Sequence, residues 1–292
     1  MSSYTYTPEQ FQSLVYGRVS ECGRDLPWRR DHSPYSVLVS EFMLQQTQVS
    51  RVLPKYAAWM LLFPNVSALA GAQTSEVLAV WSGLGYNRRA LALHSSARRI
   101  DAEFGGSVPD DEMVLRSLPG VGVYTSRAIL AFAFNRPVVF LETNVRTVLL
   151  KHFYPAEEKV PDSLLEETAA YVLDRSAPAR WYSALMDYGV EIKRLDGNHS
   201  RRSAAYHKQS PFDTSFRRVR GQLLKILVRE GPLDVEEAYR KLPFSRENIE
   251  HSAAELASEG FIFYSGGQLA LADDGQARGR QSGPSRKSSR KT

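Results

Sequence analysis

The sequence predicts an all-α protein, followed by a small α+β module of winged-helix type and a disordered basic tail. Three observations carry this reading. Apolar residues recur at three- and four-residue spacing from Thr7 to about Tyr206, with Pro and Gly at the breaks. Three further amphipathic segments then lead into two short apolar runs around Gly266-Gly267, the signal of a hairpin. The last twenty residues hold Ser, Gly, Gln, Arg and Lys but no core formers. With 292 residues, 43% of them hydrophobic, the chain has enough apolar material for two domains.

Taken in order, the periodicity predicts helices over 7–22, 34–50, 53–62, 74–81, 87–103, 110–116, 123–134, 143–153, 162–176 and 179–190. Strand signals are nearly absent here, apart from the short apolar run Val138–Leu141. From Lys193 to Phe212 the chain is rich in Arg, Lys, His, Ser and Asn and reads as an exposed loop or linker. Helices follow over 215–229, 235–242 and 246–259, then a hairpin over 261–272; three helices and a terminal hairpin make a winged-helix module. The expected division is a helical domain over 1–206, the module over 207–272 and the tail over 273–292.

Cys22 is the only cysteine, so a disulfide scaffold and any site needing several thiolates are excluded, and no metal site is expected. The polar start MSSYTYTPEQ does not resemble a signal peptide, and no apolar run approaches the ~20 residues that span a bilayer. The expectation is a soluble cytoplasmic monomer without a membrane partner. Net charge is +5, but the tail holds six basic residues against Asp273 and Asp274. The rest is nearly neutral, so nucleic-acid binding has to rest on local motifs.

Three segments carry chemistry. In YSVLVSEFMLQQTQVSRVL, Glu41 is the one charged residue between Asp31 and Arg51. Val37, Glu41, Leu44 and Gln48 share a helical face, so the carboxyl sits on an apolar stripe. Unpaired there, it resists ionisation and suits general-acid work near neutral pH. The alternative is a structural glutamate paired with Arg29 or Arg51. In LPGVGVYTS, Gly120 and Gly122 form a tight hairpin before a helix, which favours a phosphate through backbone N–H groups and the helix N-terminus. In FLETNVRTV, Glu142 opens a helix whose N-terminus favours its anion. Two carboxyl groups pushed apart in acidity suit glycosidic cleavage through an oxocarbenium-like state. The ordinary first-turn glutamate is the competing explanation for Glu142.

LPWRRDHSPYSVLVSEFMLQQTQV, WSGLGYNRRA, LPGVGVYTSRAI, ETNVRTV and ALMDYG occur in this order over roughly residues 20–190. Together they resemble the MutY-type adenine DNA glycosylases of the helix–hairpin–helix superfamily. The resemblance implies a two-lobed helix–hairpin–helix glycosylase fold, and gives Glu41 the role of the acid that protonates the purine. Glu142 falls where the family has an essential Asp at the sugar cation, and Asn144 matches an Asn that positions the catalytic groups. Tyr124 stands where bifunctional relatives such as endonuclease III carry a Lys, which implies monofunctional hydrolysis. Trp28, Arg29 and Leu44, with Asp187, match the pocket around the flipped base. Gln46 matches the side chain inserted into the duplex, helped by Leu84 and Tyr86. The hairpin at Gly120 and Gly122 would grip the DNA backbone, with room for a monovalent cation at 118–124.

The sequence departs from the family in three ways. The family's four cluster cysteines are missing, and 191–206 offers Lys193, Arg194, His199, Arg201 and Arg202, which are expected to contact phosphate directly. The essential Asp is Glu142, one methylene longer. The winged-helix module stands where the family reads oxidised guanine. The expected function is therefore base-excision repair without a cofactor: a monofunctional glycosylase acting on double-stranded DNA with a mispaired or damaged base, adenine opposite guanine or 8-oxoguanine. Thymine, uracil or hypoxanthine in mispairs, and non-catalytic mismatch binding, are the alternatives.

Overall fold

The computed structural model describes residues 5–206 and 216–272. Its order is α1 (Pro8–Cys22), α2 (Pro27–Arg30), α3 (Pro34–Leu44), α4 (Val49–Leu62), α5 (Val66–Ala70), α6 (Thr74–Trp81), α7 (Arg88–Phe104), α8 (Glu112–Ser117), α9 (Val123–Phe134), α10 (Thr143–Phe153), α11 (Asp162–Val172) and α12 (Pro178–Leu195). A 3₁₀ turn, His199–Arg202, ends this helical part. The C-terminal module runs α13 (Phe216–Glu230), β1 (Leu233–Asp234), α14 (Val235–Lys241), α15 (Arg246–Ser258), β2 (Ile262–Ser265) and β3 (Gln268–Leu271). Its antiparallel sheet has the order β1-β3-β2, with Leu233 and Tyr264 both opposite Leu269. Gly266 and Gly267 close the β2–β3 hairpin with φ of 59° and 79°, a pair of left-handed conformations that glycine adopts without strain. β1, two residues long, leaves no periodicity to read.

Buried apolar side chains fall into two clusters, the cores of the two lobes. One gathers α2 to α8 and extends without a break into Leu223, Leu227, Leu256 and Leu269 of the module. The other gathers α1, α10, α11 and α12 around Trp181, Tyr182 and Phe11. Helix α9 serves both: Ile129 and Leu130 enter the first core, Ala128 and Ala131 the second. A helix apolar on two faces has to lie between two cores. That places its N-terminal turn, and the hairpin before it, at the boundary where α3 ends and α10 begins.

The α13 and α15 helices dock on the first lobe through a charged bridge. Glu259 accepts from Arg88 Nε at 2.9 Å and from Arg220 Nη1 at 2.9 Å. Hydrogen bonds from Arg88 and Arg220 hold its carboxyl down at about 2.

Helix α3 stops at Leu44, where the periodicity predicts a helix to residue 50. The cause lies across the chain. Arg89, 9% exposed, sends Nη1 to the carbonyls of Phe42 (2.9 Å) and Met43 (3.1 Å) and also to that of Gln45, and Nη2 to Thr47 Oγ1 at 2.9 Å. A buried guanidinium thus takes the place of the next helical turn, and Gln46 is left in the left-handed region (φ 54°). Arg89→Leu strands those carbonyls, and is expected to lower stability by roughly 3 kcal/mol in a urea titration.

Residues 193–206 are more ordered than the expected loop. α12 continues to Leu195, and Val160 bridges to Ser203. The rest of the expected linker, 207–212, and the expected basic tail, 273–292, lie outside the described residues. No helix among the described residues is long and apolar enough to cross a membrane.

Candidate active site

Glu41 sits on α3 with 5% of its surface exposed, among Val37, Leu38, Phe42 and Met43. Neither arginine that could have paired with it does so. Arg29 is spent on Asp187 (2.7 Å), and Arg51 on the carbonyl of Gly83. Tyr124 is the neighbour whose hydroxyl favours its ionised form, while Oε2 has no hydrogen-bond partner among the described residues. Burial pushes its carboxyl up to about 7; the Tyr124 hydroxyl opposes this and the nearby charge of Glu142 adds to it. The group is a partly protonated acid at neutral pH, as its apolar stripe predicts.

Tyr124 comes from the first turn of α9 and lies within electrostatic reach of both carboxyl groups. Burial, followed by the charges of Glu41 and Glu142, raises its phenol well above the ordinary range, so it keeps its proton. Phe140 packs edge-on against it, with centroids 5.6 Å apart.

Glu142 is the N-cap of α10. Its Oε1 accepts from the N–H groups of Asn144 (2.6 Å) and Val145 (2.9 Å), and Oε2 from Asn144 Nδ2 at 3.2 Å. Caps of this kind usually fall to shorter side chains. Here the extra methylene is taken up by folding the side chain back onto the helix end, with the backbone in an ordinary extended conformation (φ −118°). Burial nevertheless pushes the carboxyl up, which the helix-terminus argument did not foresee; the two N–H groups, Lys193 and Arg146 pull it back toward the anion.

Lys193 is the residue that sequence reasoning misplaced. It belongs to α12, half-buried, and donates to Asn144 Oδ1 at 2.6 Å. An ammonium only donates, so it fixes the amide with Oδ1 outward and Nδ2 toward Glu142. One turn earlier on α12, a Cβ on Gly189 would fall 2.6 Å from Asn144 Cβ and from its carbonyl oxygen. Only glycine lets α12 approach α10 this closely. The signal was present in the four-residue spacing of Gly189 and Lys193, but not the partner helix. Lys193→Met frees the amide to turn, and is expected to slow single-turnover base release about tenfold, with Lys193→Arg partly restoring it.

The remaining expected residues divide. Asp187 is tied to Arg24 Nε (2.6 Å) and Arg29 Nη1 (2.7 Å). Burial pushes its carboxyl up, but Arg29 and Arg24 outweigh that and hold it below the usual carboxylate range. Arg29 and Asp187 line a cavity of ≈ 340 Å³ between α1 and α12, a volume whose lining includes neither Glu41 nor Glu142. Trp28 is 7% exposed and packs edge-on against Tyr56; Leu44 is half-buried.

Gln46 and Tyr86 are exposed, and with Asn135 they are the non-glycine residues of positive φ among those described. Strain of this kind at exposed residues accords with a wedge. Leu84, by contrast, is 2% exposed and belongs to the first core, so it supports that turn from beneath.

The hairpin is held tightly. A Cβ on Gly120 (φ 76°) would meet Ala92 Cβ at 2.8 Å and Phe42 Cε1 at 2.9 Å, and Gln45 Nε2 reaches Thr125 Oγ1 at 3.2 Å. Gly122 is the N-cap of α9. Arg201 is exposed, but Arg202 is not a free phosphate ligand: its guanidinium binds the carbonyls of Leu150 (2.9 Å), Tyr154 (2.6 Å) and Glu157 (2.9 Å). The donor set does not fit an iron–sulfur cluster, since one cysteine cannot supply its thiolates. Among the described residues no group of three or more His, Cys, Asp and Glu is placed to hold a metal ion.

Two helices joined by a glycine hairpin, with an acid and a capped carboxylate at the lobe boundary beside it, define a helix–hairpin–helix protein equipped for glycosidic chemistry. The chain belongs to the HhH-GPD superfamily of base excision DNA repair proteins, whose model matches residues 39–243. It is 36% identical to an adenine DNA glycosylase of Mycolicibacterium smegmatis over 87% of this chain and 93% of that protein. It is 41% identical to one from Mycobacterium tuberculosis over 58% of this chain and 57% of that one. In fold it is similar to a thermostable thymine-DNA glycosylase (TM-score 0.57, 24% identity, 66% of this chain and 90% of that one). It is likewise similar to endonuclease III in a non-covalent DNA complex (TM-score 0.51, 18% identity, 81% and 100%).

Proposed function

We propose that the protein is a monofunctional DNA glycosylase that hydrolyses the N-glycosidic bond of adenine mispaired with guanine or 8-oxoguanine, acting as a monomer on double-stranded DNA. The observation that carries this is Glu41: buried, without a cationic partner among the described residues, and poised near neutrality beside Tyr124 and Glu142. Adenine is the base named for the relatives from Mycolicibacterium smegmatis and Mycobacterium tuberculosis. The scissile bond is inaccessible within a stacked duplex, so the nucleotide has to be swung out, with Gln46 and Tyr86 filling the gap.

Glu41 gives its proton to the departing base while the electron pair of the C1′–N bond leaves with it. The Glu142 carboxylate, held by two N–H groups and the Asn144 amide, stabilises the positive charge left on the sugar. Water then bonds to C1′ and its proton returns to Glu41. Tyr124 supplies no amine, so no Schiff base forms at its position.

The test is a panel of labelled duplexes carrying each mispair, incubated with the protein and treated with alkali. Strand breaks confined to adenine opposite guanine or 8-oxoguanine are expected. Breaks at thymine, uracil or hypoxanthine would reassign the base, and binding without breaks would make the protein a mismatch binder.

A further inference from the structure

A groove of ≈ 230 Å³ lies between α13 and the turn that follows α6. Arg51, Arg218 and Lys225 line it together with Ser82, Gly83 and Gly221, and no carboxylate of the described residues contributes to its lining. On α13 the exposed residues Arg218, Gly221, Gln222 and Lys225 follow the i, i+3, i+4, i+7 spacing of one helical face. The facing wall carries Arg51, which donates to the Gly83 carbonyl, with Leu78, Ser82 and Asn87; at Gly83 and Gly85 (φ of 98° and 76°) it presents no side chain, while Lys55 Cε lies 3.7 Å from where a Gly83 Cβ would stand. A cleft that gathers cations beside a wall partly of glycine backbone, without a carboxylate among its described lining residues, is shaped for an extended polyanion approaching closely.

The position of the groove says which polyanion. It adjoins the Gly83–Asn87 turn, whose Tyr86 is one of the two strained wedge residues, and Arg217 Nη1 reaches the Tyr86 hydroxyl at 3.3 Å. The module is also fixed in place: Glu259 bridges Arg88 of α7 and Arg220 of α13, and the buried residues of α13 are continuous with the first core. A cationic face held rigidly at one end of the site extends the surface that meets the duplex.

We propose that this groove seats the sugar–phosphate backbone of the duplex flanking the extrahelical nucleotide, making α13 a sequence-independent clamp that contacts DNA with Arg218 and Lys225. The proposal rests on the glycosylase reading above and adds a contact outside the catalytic lobes. Its occupant is duplex DNA, and its contribution is electrostatic, so it is measured as counterion release. Each phosphate neutralised adds about 0.9 to the slope of log K against log salt.

The experiment measures anisotropy of a fluorescent duplex carrying an adenine·8-oxoguanine pair, titrated with the full-length protein over a range of salt. Arg218→Glu with Lys225→Glu is expected to flatten the slope by about 1.8, and Arg218→Gln with Lys225→Gln by nearly as much. Circular dichroism melting checks that each variant is folded, and the Gln pair is the fallback if reversal perturbs the module. An unchanged slope in the folded Gln pair would overturn the clamp. So would an equal flattening by the single variants Arg218→Glu and Arg175→Glu, the latter on the loop between α11 and α12, because bulk charge would then account for the effect. Base release by the wild type on the same duplex keeps the two readings separate. Release with an unchanged slope discards the clamp alone, whereas a flattened slope without release upholds the clamp and discards the glycosylase.

Discussion

Glu41→Gln is expected to slow single-turnover base release by roughly 10²–10⁴-fold, the range contributed by a positioned general acid, while leaving duplex affinity in place. The amide keeps the shape and a contact to Tyr124 but has no proton to give. In the wild type, release should be fast while Glu41 is protonated and fall as pH rises through about 7, the point to which burial first, and the charge of Glu142 second, have pushed it. The same substitution changes stability with a definite sign. A carboxyl raised in the folded state binds its proton more tightly there than in the unfolded chain, so it lowers stability as pH rises from the ordinary carboxylate range through about 7. Glu41→Gln removes that loss and should raise the melting temperature above neutral pH, by a stabilisation on the order of 3 kcal/mol. An inactive variant that is more stable than the parent is the expected mark of a catalytic group held at a cost to the fold.

Glu142 gives the second large effect. Glu142→Ala removes both the anion facing the sugar and the cap of α10, so base release should fall by two orders of magnitude or more, and stability by about 1 kcal/mol. Glu142→Asp separates the two roles. Asp caps helices well, and the carboxylate of Glu142 is already folded back to the N–H groups of Asn144 and Val145. Release within about tenfold of the parent is expected, measured under single-turnover conditions. A hundredfold loss would mean that the longer side chain places the charge where an aspartate cannot follow.

The proposed catalytic residues stand out in the sequence by local pattern, while their roles come from the family resemblance. A lone carboxyl on an apolar stripe marks Glu41, a glycine pair before a helix marks Gly120 and Gly122, and an acidic residue at a helix start marks Glu142. Helices 74–81, 123–134 and 143–153 coincide with α6, α9 and α10 for the same reason. What local pattern does not carry is a partner distant in the chain. Arg89 ends α3 from 44 residues away, so the predicted helix ran too far. Leu84 reads as a surface wedge beside Tyr86, yet the turn folds it into the core. Arg202 reads as a phosphate ligand in a basic run, but three carbonyls of the 150–157 segment take it up. Lys193 reads the same way, and its role depends on Gly189 admitting the end of α10.

The central claim is the acidity of one side chain, and it can be read directly. In protein labelled with ¹³C at the glutamate side-chain carboxyl carbons, a carboxyl resonance present in the parent and missing from Glu41→Gln should titrate with a midpoint of about 7. A Glu41 resonance that has already completed its shift in the ordinary carboxylate range would show an anion at neutral pH, with no proton to deliver to a departing base.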